Sequence, residues 1–329
     1  MRPAALAFAL LLAAPAAFAA PVGKTFKDWE LACDNVGDCV AHGFQRYAER
    51  RSEHWLRLDI KAGPDGRPQL SGQAEGVDVA RARILEAPAE LAGKPLAEQL
   101  IGLARTGETA TLASDETAKV VFSLAGLAAT LIAIDEAQGR IGTTTALIRP
   151  GARPAAAVPG PRPLPRLRGR STEAFGAGDE ALAKALARRL KAAISDECPR
   201  QDRAEGAGAV YRLSRATSLV ELYCDSGAYN FGSRFWLVEG RDVARAKALV
   251  FRSPTGETMT QLINPDYDAK TGELSFFGKG RGVGDCGQKG AYVWTGRGFE
   301  LAQFAQLLTC NGVGGEEIGD WPALFRSQQ

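Results

Sequence analysis

Residues 282–287 read GVGDCG, and three kinds of chemistry fit them. The spacing G-x-G-x-x-G is that of a dinucleotide-binding loop, in which glycines let the backbone approach a pyrophosphate held at a helix N-terminus. The cysteine inside it offers a thiolate nucleophile or redox group, provided a base or cation lowers its pKa. The third possibility is a tight turn in which glycines take positive φ beside a disulfide. The residues after the loop favour the third. GQKGAYVWTGRGF is strand composition with more glycines, not the start of a helix. Only two histidines exist, His42 and His54, both far away in the sequence, so Cys286 lacks a nearby imidazole base. Cys310 stands one hairpin away, beside an Asn311-Gly312 turn, and is the natural partner of Cys286.

No other constellation carries stronger chemistry. His42 and His54 are twelve apart with no companion at metal-ligand spacing. Asp266 and Asp268 imitate the start of a calcium loop, but Lys270 occupies the third ligand position and the glycine comes late. No serine sits in G-x-S-x-G or S-x-x-K. We therefore expect no catalytic residue, no metal ligand and no cofactor. The suggestive residues are aromatic. Tyr229, Phe231, Phe235 and Trp236 crowd one Gly-containing stretch, and Tyr292 and Trp294 come after the GVGDCG loop. Aromatics and arginine are the types that anchor interfaces. Arg281, Asp285, Tyr292 and Trp294 form the candidate binding face.

The first residues set the compartment. MRPAALAFALLLAAPAAFAA has a short basic start, an apolar run and an Ala17-Phe18-Ala19 cleavage site, which is a secretory signal peptide spanning 1–19. No later stretch has the roughly 20 apolar residues of a spanning helix, so no membrane span is expected in the mature chain. Forty basic against 38 acidic residues leave a formal charge of +2, too small to recruit nucleic acid. Six cysteines in an exported chain read as disulfides. Of 15 possible connectivities, proximity suggests Cys33–Cys39, Cys198–Cys224 and Cys286–Cys310. We expect the periplasm.

The elements that must position these residues are mostly strands. Residues 25–33 alternate and read as an opening strand, 39–44 as its return, and 55–60 as a strict alternation before the hairpin signal AGPDGRP. Residues 77–85 suggest another strand. Residues 96–105 have helical spacing; 120–124 and 129–134 fit strand or helix, with SLAGLAATL favouring helix. Six prolines between 150 and 165 then mark an inter-domain linker of polyproline character. Leu182, Leu186, Leu190 and Ile194 give a clear helix over 179–194. Strand-like runs come next at 209–213, 218–224, 234–238 and 246–251, then a hairpin over 262–274 turning at Thr271-Gly272. The expected class is α+β and β-rich: two antiparallel β-sandwich-like domains, 20–149 and 171–329, with one or two helices each and a Pro/Arg-rich linker at 150–170.

Three stretches, FKDWELACDNVGDCVAHGF, ELYCDSGAYNFGSRFWLV and NPDYDAKTGELSFFGKGRGVGDCGQKGAYVWTGRGFEL, closely resemble the bacterial family called domain of unknown function 1176. The block from Gly280 to Phe299 is its specific mark. The resemblance implies an exported protein of Gram-negative bacteria and no activity. The opening Phe26, Asp28, Trp29 and Cys33 also resembles the invasion-associated locus B family, which implies a small periplasmic or surface β-sandwich. The expected function is non-catalytic: binding a protein, glycan or envelope component. The alternatives are a thiol-redox protein, a hydrolase with dispersed carboxylates, or a purely structural envelope component.

Overall fold

The computed structural model of the chain describes residues 21–44, 54–115, 118–194, 208–310 and 321–329, with backbone only for 191–194. The expected leader, 1–19, and Cys198 lie outside them. The chain opens as an antiparallel meander of β1 (Val22–Phe26), β2 (Trp29–Cys33), β3 (Cys39–Phe44), β4 (Trp55–Ile60) and β5 (Pro68–Gln73). A small sheet of β6 (Arg83–Ile84), β7 (Thr109–Ala113) and β8 (Lys119–Ser123) is interleaved with α1 (Leu96–Leu103) and followed by α2 (Leu127–Ala137). After the proline segment come α3 (Glu180–Ile194), β9 (Val210–Arg212), β10 (Thr217–Ser226), β11 (Phe231–Glu239) and β12 (Lys247–Ala248), the four strands forming a sheet. A hairpin of β13 (Phe251–Arg252) and β14 (Thr258–Met259) precedes β15 (Leu262–Ile263), which pairs with β11. The last meander is β16 (Asp266–Asp268), β17 (Glu273–Lys279), β18 (Gly287–Trp294), β19 (Phe299–Leu307) and β20 (Ala323–Arg326). This is the β-rich α+β class that the alternating patterns imply.

Of the expected strands, two divide and one shortens. The run 25–33 is two strands, because Lys27 at φ 52° turns the chain and sets Phe26 opposite Trp29. Gly126 makes room for that turn: a Cβ there would stand 1.8 Å from the Phe26 carbonyl oxygen. The run 77–85 keeps only β6, since Asp78 accepts from the Ala80 amide through its side chain and from Arg81 through its carbonyl, closing a turn. The run 246–251 breaks at Leu249-Val250, so that β12 pairs with β11 and β13 with β14. The ambiguous stretches resolve as a strand at β8 and a helix at α2.

β2 and β3 are buried on both faces, and this fixes the packing. Trp29, Leu31 and Cys33 point into a core with Leu127, Leu131 and Ile134 of α2, while Ala32 joins a second core containing Phe235, Phe276, Phe304 and Leu324. A third core holds Leu182 and Leu186 of α3 against Val220, Trp236 and Val238. Each fully buried side chain of this size contributes roughly 1.5–3 kcal/mol. The prolines of 150–165 preclude a packed helix or strand, yet the segment is tied to its neighbours by backbone bonds. Arg162 donates to Val36 O, Leu167 to Gln328 O and Arg170 to Trp294 O, and Gln328 donates to Pro165 O.

The β2–β3 turn and the last strand are joined by charge. The Arg326 guanidinium donates to Asp34 at 2.6 Å and Asp38 at 2.8 Å, and the Asn35 side chain bonds both backbone groups of Arg326. Asp34 is 5% exposed, and its other oxygen accepts from the amides of Val36, Gly37 and Asp38 at 3.0 Å each. Arg326→Ala would leave a buried carboxylate without its cation. We expect a loss of ~2–4 kcal/mol in urea unfolding, with a smaller loss for the Arg326→Ala, Asp34→Asn pair than the sum of the two.

His42 is wholly buried between Phe44 and Trp55, and neither ring nitrogen has a hydrogen-bond partner. Burial, with Arg57 nearby, lowers its pKa to about 3. Its stabilising contribution is complete above the unfolded value near 6.5 and is lost as pH falls toward 3, at about 1.4 kcal/mol per pH unit. Glu30, its cross-strand neighbour, is raised by burial, so its contribution is held at low pH and lost as pH rises through its folded value. Stability measured by urea from pH 7 to about 4 should therefore fall less steeply for His42→Phe than for wild type.

Candidate functional site

GVGDCG lies in the turn between β17 and β18. Lys279 pairs with Gly287, and inside that pair the Gly280 amide donates to Cys286 O at 2.8 Å and the Gly284 amide to Arg281 O at 2.9 Å. Gly284 has φ 68° and Gly287 φ 132°. A Cβ on Gly287 would lie 2.0 Å from Gly278 O, and one on Gly280 would lie 2.5 Å from the Cys286 sulfur. The glycines thus satisfy a reversal that no side chain fits. The turn leads straight into β18, a strand, so this loop offers no helix terminus to a pyrophosphate.

Cys286 is bonded to Cys310 and Cys33 to Cys39, as proximity suggested. Cys224 is also disulfide-bonded; its expected partner, Cys198, lies outside the described residues. Cys286 is 2% exposed, whereas Cys310 faces solvent. The Asp285 carboxylate lies within 4.8 Å of both sulfurs and is itself fully buried. Arg281 lies over it, with Nε donating to Oδ1 at 2.8 Å and a second bond from Nη2 to Oδ2. That partnership raises the guanidinium pKa further. The sulfurs are covalently joined and the carboxylate is ion-paired, so the trio in this state offers a cation little.

The four residues of the candidate face separate by depth. Arg281 reaches solvent and Asp285 lies beneath it. Tyr292 and Trp294 are core residues, 2% and 5% exposed. The Tyr292 hydroxyl donates to Arg252 O at 3.1 Å, its ring packs on Phe251, and burial raises its phenol pKa. Trp294 packs on Phe299. Both fall on the inward side of β18, which the period-two pattern of 290–294 does not reveal because that segment is buried on both faces. His42 serves packing, and Asp268 closes the β16–β17 hairpin by accepting from Lys270 N and the Thr271 hydroxyl.

The turn, the disulfide and neighbouring strands enclose a cleft of about 410 Å³. Its walls carry Gln261, Gln288 and Gln306, with Asn230, and a floor of Leu262, Ile263, Phe276 and the Cys286–Cys310 bridge. Gln288 and Gln306 are cross-strand partners on one face of the sheet. None of the three glutamine amides hydrogen-bonds to another described residue. The wall that bears Asn230 is rigid. Asn264, held at φ 46°, donates to Asn230 Oδ1 at 2.9 Å and Phe277 O at 2.8 Å, and Asn230 donates to Lys279 O at 2.8 Å. Beside the cleft, Tyr229, Phe231 and Tyr223 are 43%, 39% and 41% exposed, and the Tyr229 ring rests on Gly282. Tyr229 and Phe231 are among the aromatics that the sequence singles out; the glutamines are not, since nothing local distinguishes them.

A second hollow of about 520 Å³ lies on the other face of the sheet. Its aromatic and cationic groups are paired within the protein: Lys289 sits 5.0 Å over the Trp321 ring, Trp321 meets Phe277 edge-on at 5.5 Å, and Arg326 is held by Asp34 and Asp38.

Comparison with known proteins shows the family. A family profile described as protein of unknown function, DUF1176, matches residues 23–328. The chain belongs to that family. It is similar to the uncharacterized protein YpfG of Escherichia coli strain K12, 27% identical over an alignment of 369 residues covering 97% of each chain. No solved structure matches. The DUF1176 match includes the Phe26-to-Cys33 opening.

The Cys286–Cys310 bridge closes a loop of 24 residues in sequence separation. Replacing both cysteines by serine should cost on the order of 3 kcal/mol by freeing the unfolded chain. Urea unfolding of that double variant, compared with wild type, checks the value.

Proposed function

We propose that this DUF1176 protein is an exported, periplasmic, non-catalytic binding module whose ligand enters the cleft beside Cys286 and Cys310. The observation that carries the proposal is the set of three glutamine amides on the cleft walls with no partner among the described residues. Polar side chains at a concave site usually direct their hydrogen bonds into the fold or onto a ligand. Two local disulfides and the Ala-rich leader support export, because such bridges persist in oxidising compartments. No described helix is long and apolar enough to cross a membrane.

A thiol-redox role is the second possibility, favoured by one observation: Cys310 is exposed at the mouth of the same cleft. The redox potential separates the two. A structural bridge should titrate below about −300 mV, whereas an exchanging one should titrate nearer −200 mV. We expect the former.

Two measurements test the main proposal. Expressed in a Gram-negative host, the chain should appear in osmotic-shock fluid with a mass lacking residues 1–19. Loaded with isolated cell-wall and outer-membrane fractions, the mature protein should be retained, and a Gln288→Ala, Gln306→Ala variant should be retained about tenfold less. Cytoplasmic retention of the full-length mass, or equal loading of wild type and variant, would count against it.

A further inference from the structure

We infer that the cleft ligand is an uncharged saccharide. The inference rests on the binding role proposed above and narrows it to one chemistry. Four observations lead to it.

First, the cleft has little charge of its own to offer. Among the described residues, Lys279 is the single charged one in its lining, and its ammonium sits 5.6 Å over the Phe277 ring, which lines the opposite hollow. Arg281 and Asp285, in the adjacent turn, neutralise one another. A phosphate or carboxylate ligand would find no bidentate cation here.

Second, the uncommitted groups are side-chain amides. Each glutamine presents two N–H donors and a carbonyl acceptor, the complement of a hydroxyl that must both give and receive. Gln288 and Gln306 are cross-strand partners that both line the cleft, with the Gln306 side-chain carbonyl oxygen lying toward Gly23 of β1.

Third, the aromatics beside the cleft are exposed and carried by a braced turn. Tyr229 and Phe231 flank Asn230, whose side chain is fixed to the β17 backbone. Ring faces of this kind meet the C–H face of a sugar without needing charge.

Fourth, an extended peptide is disfavoured. Peptides captured by strand addition use an unpaired sheet edge. In the wall formed by β17, β18 and β19, Gly278 pairs with Gln288, Gln288 with Gln306, and Gln306 N donates to Pro322 O, so the backbone of that wall is already engaged. Recognition falls to side chains, as it does for saccharides.

The experiment uses the mature protein with its disulfides intact. Isothermal titration is run against chitotetraose, maltohexaose and cellohexaose as neutral probes, against tetragalacturonate as an anionic one, and against a mixed decapeptide library. We expect at least one neutral oligosaccharide to bind, with an affinity insensitive to added salt. Gln288→Ala with Gln306→Ala should weaken it about tenfold, and Tyr229→Ala by several-fold. Melting temperatures of these variants should stay near wild type, because the replaced amides hold nothing in the described fold. The inference is overturned if no neutral probe binds, if only tetragalacturonate binds, or if the glutamine variant binds as wild type does. Binding of peptides without saccharides overturns it while leaving the binding role intact. Failure of all probes, together with loss of retention on cell-wall fractions, removes both.

Discussion

Asp34 gives one oxygen to three backbone amides and the other to Arg326, and through that carboxylate the β2–β3 hairpin holds the last strand. The contact spans 292 residues of sequence. It sets β20 beside β2, so that Ala32 and Leu324 share a core. It also brings the end of β19 up to Glu30, whose carboxylate accepts from the Leu308 amide. The Cys33–Cys39 bridge and the turn amides hold Asp34 in position for its partner. An arginine that bridges two acids, one of them nearly buried, is costly to break and specific in geometry. Phe44, Leu307 and Trp321 add an apolar contact that would tolerate sliding; the ion pair, with the Asn35–Arg326 and Glu30–Leu308 bonds, fixes the register.

The cleft inherits its shape from that register. Gln306 and Leu308 are placed by β19, which is held between β18 and the anchored β20. Gln288 and the disulfide are placed by the turn at 280–286, whose glycines have no substitute at 2.0–2.5 Å from backbone and sulfur. Gln261 approaches from the start of β15, which the Asn230–Asn264 bonds tie to β17. Three separate devices therefore converge: an ion pair, a disulfide-bound turn and an asparagine bracket. All of them fix backbone, and none of them uses the glutamine amides. Such a division between a rigid frame and uncommitted polar groups is what a preorganised binding site needs.

Much of this frame is legible in the residues. Alternation marks β4, the return of the opening strand marks β3, the four-residue leucine repeat marks α3, and proximity marks both described disulfides. The strand composition after GVGDCG is β18, which comes directly after the turn. The site itself is less legible, for a physical reason. Tyr292 and Trp294 have the composition of an interface but lie on strands covered on both sides, and a single sequence does not say which face of a doubly buried strand is outermost. Glutamine has no positional signature, so the pairing of Gln288 with Gln306 emerges only once β18 and β19 are in register. The Arg326 clamp is invisible for the same reason: long-range pairing of charges depends on topology, not on spacing.

The buried Arg140 shows how the same chain treats a charge it does not leave for a ligand. It is 1% exposed, and its guanidinium donates to the carbonyls of Lys61, Gly63 and Gly66 and to Gln138 Oε1. Gln138 in turn donates to Gly37 O and Ile60 O. Here a glutamine amide is bonded at both ends, because an unbonded one at that depth would cost about 1–3 kcal/mol. Gln261, Gln288 and Gln306 escape that penalty only because they border a cleft that admits water or a ligand. The contrast between Gln138 and the three cleft glutamines is therefore physical and not compositional. The fold satisfies this amide where solvent is excluded, and it leaves the three cleft glutamines uncommitted, as it does Gln303 beside the second hollow.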